Sequence, residues 1–142
     1  MATAFEWPVR VYIEDTDAGG IVYYANYLRF LERARTEWLR SFGLSQEQFR
    51  KDDILFVVRD VQLRYRTPAR LDDELIVTVA IEQHRRVGVT LTQQVLRATA
   101  AGFEVIVEGR IELACINSDA RPQAMPELFT QALNRLSAAL TD

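Results

Sequence analysis

The stretch Asn26-Tyr-Leu-Arg-Phe-Leu-Glu-Arg-Ala-Arg-Thr-Glu-Trp-Leu-Arg-Ser-Phe42 decides the fold. At 100° per residue, Tyr27, Trp38, Leu31, Phe42, Leu28 and Leu39 fall on one arc, which Ala34 and Phe30 extend. Half the helix surface is therefore apolar, as suits a helix wrapped by a sheet. Arg29, Glu32, Arg33, Thr36, Glu37 and Arg40 occupy the other half. Asn26 is the expected N-cap and Gly43 the expected stop. Arg35 falls inside the apolar arc, so its guanidinium is expected either to snorkel or to pair with a carboxylate; pairing is preferred, with Asp15 one candidate.

Outward from this helix the period changes to two. Val9, Val11 and Ile13 alternate with Arg10, Tyr12 and Glu14 and predict a strand over Val9–Asp15. After the helix, Ser45–Lys51 reads as a short connector with Ser45 as N-cap and Gln48 completing a capping box. Four strands then follow, each with its odd-numbered apolar residues turned inward. They carry Leu55, Val57, Val61, Leu63 and Tyr65; Leu75 to Ile81; Val87 to Val95; and Phe103, Val105, Val107, Ile111, Leu113 and Cys115. The breaks at Arg85–Gly88 and Ala100–Gly102 are short enough to require antiparallel hairpins. Pro126 to Leu140 reads as a terminal amphipathic helix. The expected fold is α+β, a five-stranded antiparallel sheet around one long helix, in one domain over residues 1–142 with its core at about 9–117. Ile54, Phe56, Val58, Ile76, Ala80, Leu96, Ile106, Ala114 and Ile116 are expected on the outer face and leave it only partly polar, so a second copy is expected to bury some of it, or an edge.

With 142 residues, 49% hydrophobic and 26% charged, the chain has an ordinary globular composition. A net charge of −3 argues against a general nucleic-acid binder, which must neutralise phosphates. One cysteine, Cys115, and one histidine, His84, leave neither an internal disulfide nor a Cys/His metal cluster. The opening residues lack a signal-peptide pattern, and the longest apolar run, Ile54 to Val58, is far too short to cross a bilayer, so a cytoplasmic protein is expected.

The chemistry concentrates between the first strand and the helix. Glu14, Asp15 and Asp17 precede Gly19-Gly20, and the chain enters the helix at Tyr24–Asn26. A helix N-terminus offers unpaired N–H groups to developing negative charge, and an upstream acid supplies a nucleophile or a base. The competing reading is a solvated turn whose carboxylate caps backbone N–H groups.

Val11-Tyr-Ile-Glu-Asp-Thr-Asp-Ala-Gly-Gly-Ile-Val-Tyr-Tyr-Ala-Asn-Tyr-Leu28, continued by Glu32-Arg-Ala-Arg-Thr-Glu37, resembles the 4-hydroxybenzoyl-CoA thioesterase family of hot-dog proteins. Within it, the branch of Tol-Pal-associated YbgC-type acyl-CoA thioesterases is the most similar, and Phe56–Arg59 and Pro68–Asp73 also look like that branch. The resemblance implies hydrolysis of a short-chain or aromatic acyl-CoA in a groove between subunits of a homodimer or homotetramer. It implies no metal or redox cofactor, coenzyme A being part of substrate and product. Asp17 matches the family's catalytic carboxylate, and Tyr24 the residue whose N–H binds the thioester oxygen. Many relatives in the Tol-Pal branch carry His where Tyr24 stands, whereas the benzoyl-CoA branch has Tyr.

Gly19, Gly20, Ile21, Val22 and Asn26 are the candidate substrate-binding residues beside these two, and Arg59, Arg85 and Arg86 are candidates for the coenzyme A phosphates. His84 reads as a hairpin residue, Glu32 and Glu37 as ion-pair partners of helix arginines, and Cys115 as core. The rival functions are a dehydratase, which needs a His beside an acid, and a non-catalytic acyl-CoA or lipid-binding module that scaffolds envelope or lipid-synthesis partners.

Overall fold

The computed structural model describes residues 4–141, with side chains through residue 136. Five strands, β1 (Phe5–Arg10), β2 (Leu55–Tyr65), β3 (Glu74–Arg85), β4 (Gly88–Thr99) and β5 (Gly102–Ile116), form one antiparallel sheet in the order β1-β3-β4-β5-β2. The long helix α1 (Tyr27–Arg40) lies against it, α2 (Gln46–Lys51) follows α1, and α3 (Glu127–Thr141) comes last. This is the expected architecture, with both hairpins in place.

The arc of α1 is buried as its period demands: Phe30, Leu31 and Ala34 are inaccessible to solvent, and Tyr27, Trp38 and Leu39 nearly so. Each large side chain there contributes about 1.5–3 kcal/mol. Leu28 departs from the expectation and stays exposed. Gly43 takes φ +77°, the left-handed stop that suits glycine. Ser45 caps α2 by accepting from the Gln48 N–H, but the Gln48 side chain turns to Asp52, so only half of the capping box forms. Phe129 of α3 packs edge-on against Trp38 and Phe56 and closes one end of the core.

Three corrections concern the strands. The first strand runs over Phe5–Arg10, not Val9–Asp15, because the Asp15 carboxylate accepts the Tyr12 N–H at 2.9 Å and draws Ile13–Asp15 into a 3-10 turn. Ile13 is consequently 75% exposed. In β2 the register slips between Val58 and Asp60, which makes Arg59 an extra residue. Phe56, opposite Cys115, packs against the core on one side of the bulge and Leu63 on the other, an even and an odd position, while Val58, Val61 and Tyr65 stay exposed. In β5 the pairs Val95↔Val107 and Leu96↔Val105 leave Ile106 as the extra residue. Ile106 is therefore fully buried and Phe103 is 62% exposed, the reverse of the expected faces.

Among the described residues Arg35 pairs with no carboxylate. Its Nη1 donates to Gln93 Oε1 at 3.0 Å, and Gln93 Nε2 donates to the carbonyls of Leu31 and Thr78. Burial pushes the Arg35 pKa down, opposed by the nearby Glu32 charge. Asp15 is not its partner, since about nine helical residues, roughly 14 Å, separate Arg35 from the helix start where Asp15 lies.

Candidate active site

The acid segment folds back on itself. Thr16 and Val22 form an antiparallel bridge, Asp17 N–H donates to the Ile21 carbonyl at 2.9 Å, and Gly20 N–H donates to the Asp17 carbonyl at 3.1 Å. Gly20 closes the turn at φ +77°, a conformation that L side chains rarely adopt. The turn docks on the segment before β3, with Val22 N–H donating to the Ala69 carbonyl and Leu71 N–H to the Gly20 carbonyl. Tyr27 secures that segment by accepting the Ala69 N–H at 3.0 Å, and burial raises the pKa of its phenol.

Asp17 sits exposed at the first position of this turn. Its Oδ1 accepts the Gly19 N–H at 2.9 Å, the capping bond of the competing reading, while Oδ2 has no protein partner among the described residues. One carboxylate oxygen is thus occupied and oriented and the other is open.

The helix α1 begins at Tyr27, and the chain enters it at Tyr24–Asn26, as expected. Tyr24–Asn26 form a 3-10 turn that leads into α1, and Tyr23, at its N-cap, offers no side-chain cap. Asn26 is itself helical and is not the cap; its Nδ2 donates to Asp15 Oδ1 at 2.9 Å. No acceptor for the Tyr24 N–H is found among the described residues. The first turn therefore presents an unpaired N–H at the positive end of the helix dipole.

Asp17, Thr16, Tyr23, Ala25, Asn26 and Arg29 line a surface depression of about 400 Å3. Beside it, Ile21, Val22, Tyr24, Tyr27, Tyr65 and Pro68 line a more apolar one of about 220 Å3. Gly19 and Gly20 form the turn itself, so the candidates from Asp17 to Asn26 converge on one end of the sheet.

The candidate cations do not join them within one chain. Arg10, which leads into the acid segment, pairs with Glu74 at one end of β3, and Arg85 closes the other end. Those ends lie roughly 36 Å apart at about 3.3 Å per residue. Arg85 is ion-paired with Glu112 at 2.8 Å, Arg86 is exposed in the hairpin turn, and Arg59 stands at the bulge of edge strand β2. His84 pairs with Val89 near the same distant hairpin.

Sequence reasoning missed the partnership of Asn26 with Asp15, the role of Gln93 and the place of Tyr65, whose hydroxyl donates to the Tyr24 carbonyl at 3.0 Å. The Asp-x-Asp spacing brackets the turn, but nothing in it tells a cap from a cross-link. Among the described residues no three His, Cys, Asp or Glu gather as a metal site, and no helix is long and apolar enough to cross a membrane.

Residues 11–133 match the Thioesterase-like superfamily. The chain is 41% identical over 126 residues to the acyl-CoA thioester hydrolase YbgC of Escherichia coli O6:H1, covering 88% of this chain and 92% of that protein. It is 37% identical to the acyl-CoA thioesterase YbgC of Haemophilus influenzae, over 93% of this chain and 96% of the relative. Among solved structures, a probable thioesterase from Bartonella henselae superposes with TM-score 0.81 at 30% identity, over 87% of this chain and all of that one. A 1,4-dihydroxy-2-naphthoyl-CoA thioesterase from Synechocystis shares the fold with TM-score 0.86 at 23% identity, over 95% of this chain and 98% of that one. With the acid turn and open helix start on such a scaffold, this chain belongs to the thioesterase-like superfamily and is a hot-dog thioester hydrolase.

Proposed function

We propose that the protein hydrolyses acyl-CoA thioesters of short or aromatic acyl groups, with Asp17 delivering the attack and the Tyr24 N–H holding the carbonyl oxygen. The observation that carries this reading is the pairing, at one sheet end, of an open carboxylate oxygen on Asp17 with a helix start that has no side-chain cap. Asp17 attacks the carbonyl carbon itself, or removes the proton of a water that does. As the C–O bond forms, the carbonyl electron pair moves to oxygen, where one oxyanion donor is worth about 10²- to 10³-fold in rate. Collapse breaks the C–S bond, and coenzyme A departs as thiolate and takes up a proton. Direct attack adds a mixed anhydride that water then cleaves. Coenzyme A enters only as part of substrate and product, and no metal or redox step is needed.

A second copy completes the groove in this proposal, with a homodimer as the minimum unit and a tetramer of two dimers above it. Edge strand β2 supports this, because Val57, Val58, Val61 and Tyr65 remain exposed along an unpaired strand edge. Arg59, Arg85 and Arg86 then serve the phosphates of a substrate held at another copy's acid turn. In this reading the enzyme acts in the cytoplasm.

Thiol release from a panel of acyl-CoAs tests the proposal. Multiple turnovers on short or aromatic members are expected. Saturable binding without release of coenzyme A on any member would favour the non-catalytic module instead. In Arg85→Ala/Arg86→Ala the KM for acyl-CoA is expected to rise, with that for an acyl-pantetheine unchanged; equal effects on both would remove the phosphate contact.

A further inference from the structure

Asp15 carries no part of the proposed reaction, yet it is only 4% exposed, and Asn26 beside it only 7%. A buried carboxylate is costly unless its oxygens are satisfied, and here each has its own donor. Oδ2 accepts the Tyr12 N–H and Oδ1 accepts Asn26 Nδ2, both at 2.9 Å. The Asp15 backbone adds two bonds, its N–H to the Tyr12 carbonyl and its carbonyl to the Tyr23 N–H, both 3.0 Å. Asp15 thus grips the end of the strand segment behind it and the residue just before the helix start. Asn26 supplies the return link: its own N–H donates to the Tyr23 carbonyl at 2.8 Å while its side chain crosses to Asp15.

We propose that Asp15 and Asn26 are a positioning pair that fixes the gap between the Asp17 carboxylate and the Tyr24 N–H. This rests on the thioesterase reading of the site and gives Asn26, one of the candidate substrate-binding residues, a role through Asp15 rather than through the reacting atoms. Asp17 lies two residues beyond Asp15 and Tyr24 two before Asn26, so the buried hydrogen bond ties together the two short segments that carry the acid and the helix start. Two apolar side chains there would pack without setting an orientation, whereas the carboxylate and amide meet at one distance. The leverage is large, since a misplacement of about 1 Å in a reacting geometry costs on the order of 10²-fold in rate.

The arrangement can be reversed without changing its charge. In Asp15→Asn/Asn26→Asp, the new amide at position 15 accepts from the Tyr12 N–H and donates to the new carboxylate at position 26. Asn26→Asp alone sets two carboxylates face to face and drives the turn from the helix.

Wild type, Asn26→Ala, Asn26→Asp and the reversed pair are compared by thiol release from the best acyl-CoA, each with its melting curve. For Asn26→Asp, kcat is expected to fall about 10²-fold with KM within about threefold of wild type. Asn26→Ala should lose about tenfold in kcat well below its melting temperature, and the reversed pair should return to within about fivefold of wild type. A folded Asn26→Ala with wild-type kcat overturns the pair, as does a folded reversed pair no faster than Asn26→Asp. If Asn26→Asp fails to fold, Asn26→Ala and the reversed pair decide against wild type alone. A wild type that releases no coenzyme A overturns the thioesterase reading and the pair with it, whereas failure of the pair alone leaves hydrolysis standing.

Discussion

The Tyr65 hydroxyl donates to the Tyr24 carbonyl at 3.0 Å, which ties the last residue of edge strand β2 to the first helical turn. Their rings meet edge to face with centroids 6.4 Å apart. Desolvation pushes the Tyr65 pKa above the ordinary phenol value, so the group stays protonated, and a donor, across the neutral range. Tyr65→Phe keeps the ring contact and removes the bond. Steady-state kinetics should show kcat down several-fold with little change in melting temperature, because a bond this exposed contributes at most about 0.5–1.5 kcal/mol. Unchanged kcat would mean that the first turn holds its place without β2.

Thr90 is fully buried, and its hydroxyl has no hydrogen-bond partner among the described residues. Thr90→Val replaces it with a methyl of similar volume and removes an unsatisfied polar atom. Urea unfolding should give a gain of about 1 kcal/mol at unchanged m-value. A loss of that size would reveal a partner for the hydroxyl.

Burial pushes the Cys115 thiol up to about 11. At pH 8 almost none of it is thiolate, the reactive form. Native protein should resist iodoacetamide at that pH and become labelled in denaturant, as mass spectrometry would report. Rapid labelling of the native state would place the thiol at a surface.

Arg97 bridges Asp73 at 2.7 Å and Glu104 at 2.8 Å, and holds the turn that carries Ala69 beneath the acid segment. The hydrogen bond from Arg97 holds the Glu104 carboxyl below its usual 4.5. A lowered carboxylate pKa stabilises the fold above the unfolded value, and the benefit fades as pH falls through the folded one. Wild type should therefore melt above Arg97→Met at pH 7, with the gap closing below about pH 4.5. A gap constant from pH 7 to 3 would assign the effect to packing.

Much of this architecture is legible from periodicity. Phe30, Leu31, Ala34 and Trp38 announce α1 by their spacing, and the Arg85–Gly88 break forces its hairpin. Period two fails where one residue is inserted, so Phe56 and Ile106 face opposite to their parity once Arg59 and Ile106 bulge. Composition gives no sign of such an insertion, because it depends on where the partner strand places its hydrogen bonds. The acid turn and helix start were readable as a constellation, since Asp17, Gly20 and Tyr24 lie within one local excursion of the chain. Asn26 reads as a cap yet bonds Asp15, because an asparagine at a helix start caps the helix or reaches a neighbour with equal ease. Arg85 and Arg86 lie at the far end of β3, a separation visible only once the register of β1 on β3 is known.

The most direct measurement is kcat for Asp17→Asn beside wild type at saturating acyl-CoA, with both proteins shown to be folded and to bind coenzyme A equally. The Asn side chain retains an oxygen for the Gly19 N–H but has no carboxylate with which to attack or deprotonate water. A fall of at least about 10²-fold is predicted, within the range of a lost base or nucleophile. Equal rates for the two proteins would contradict the assignment of the attack to Asp17.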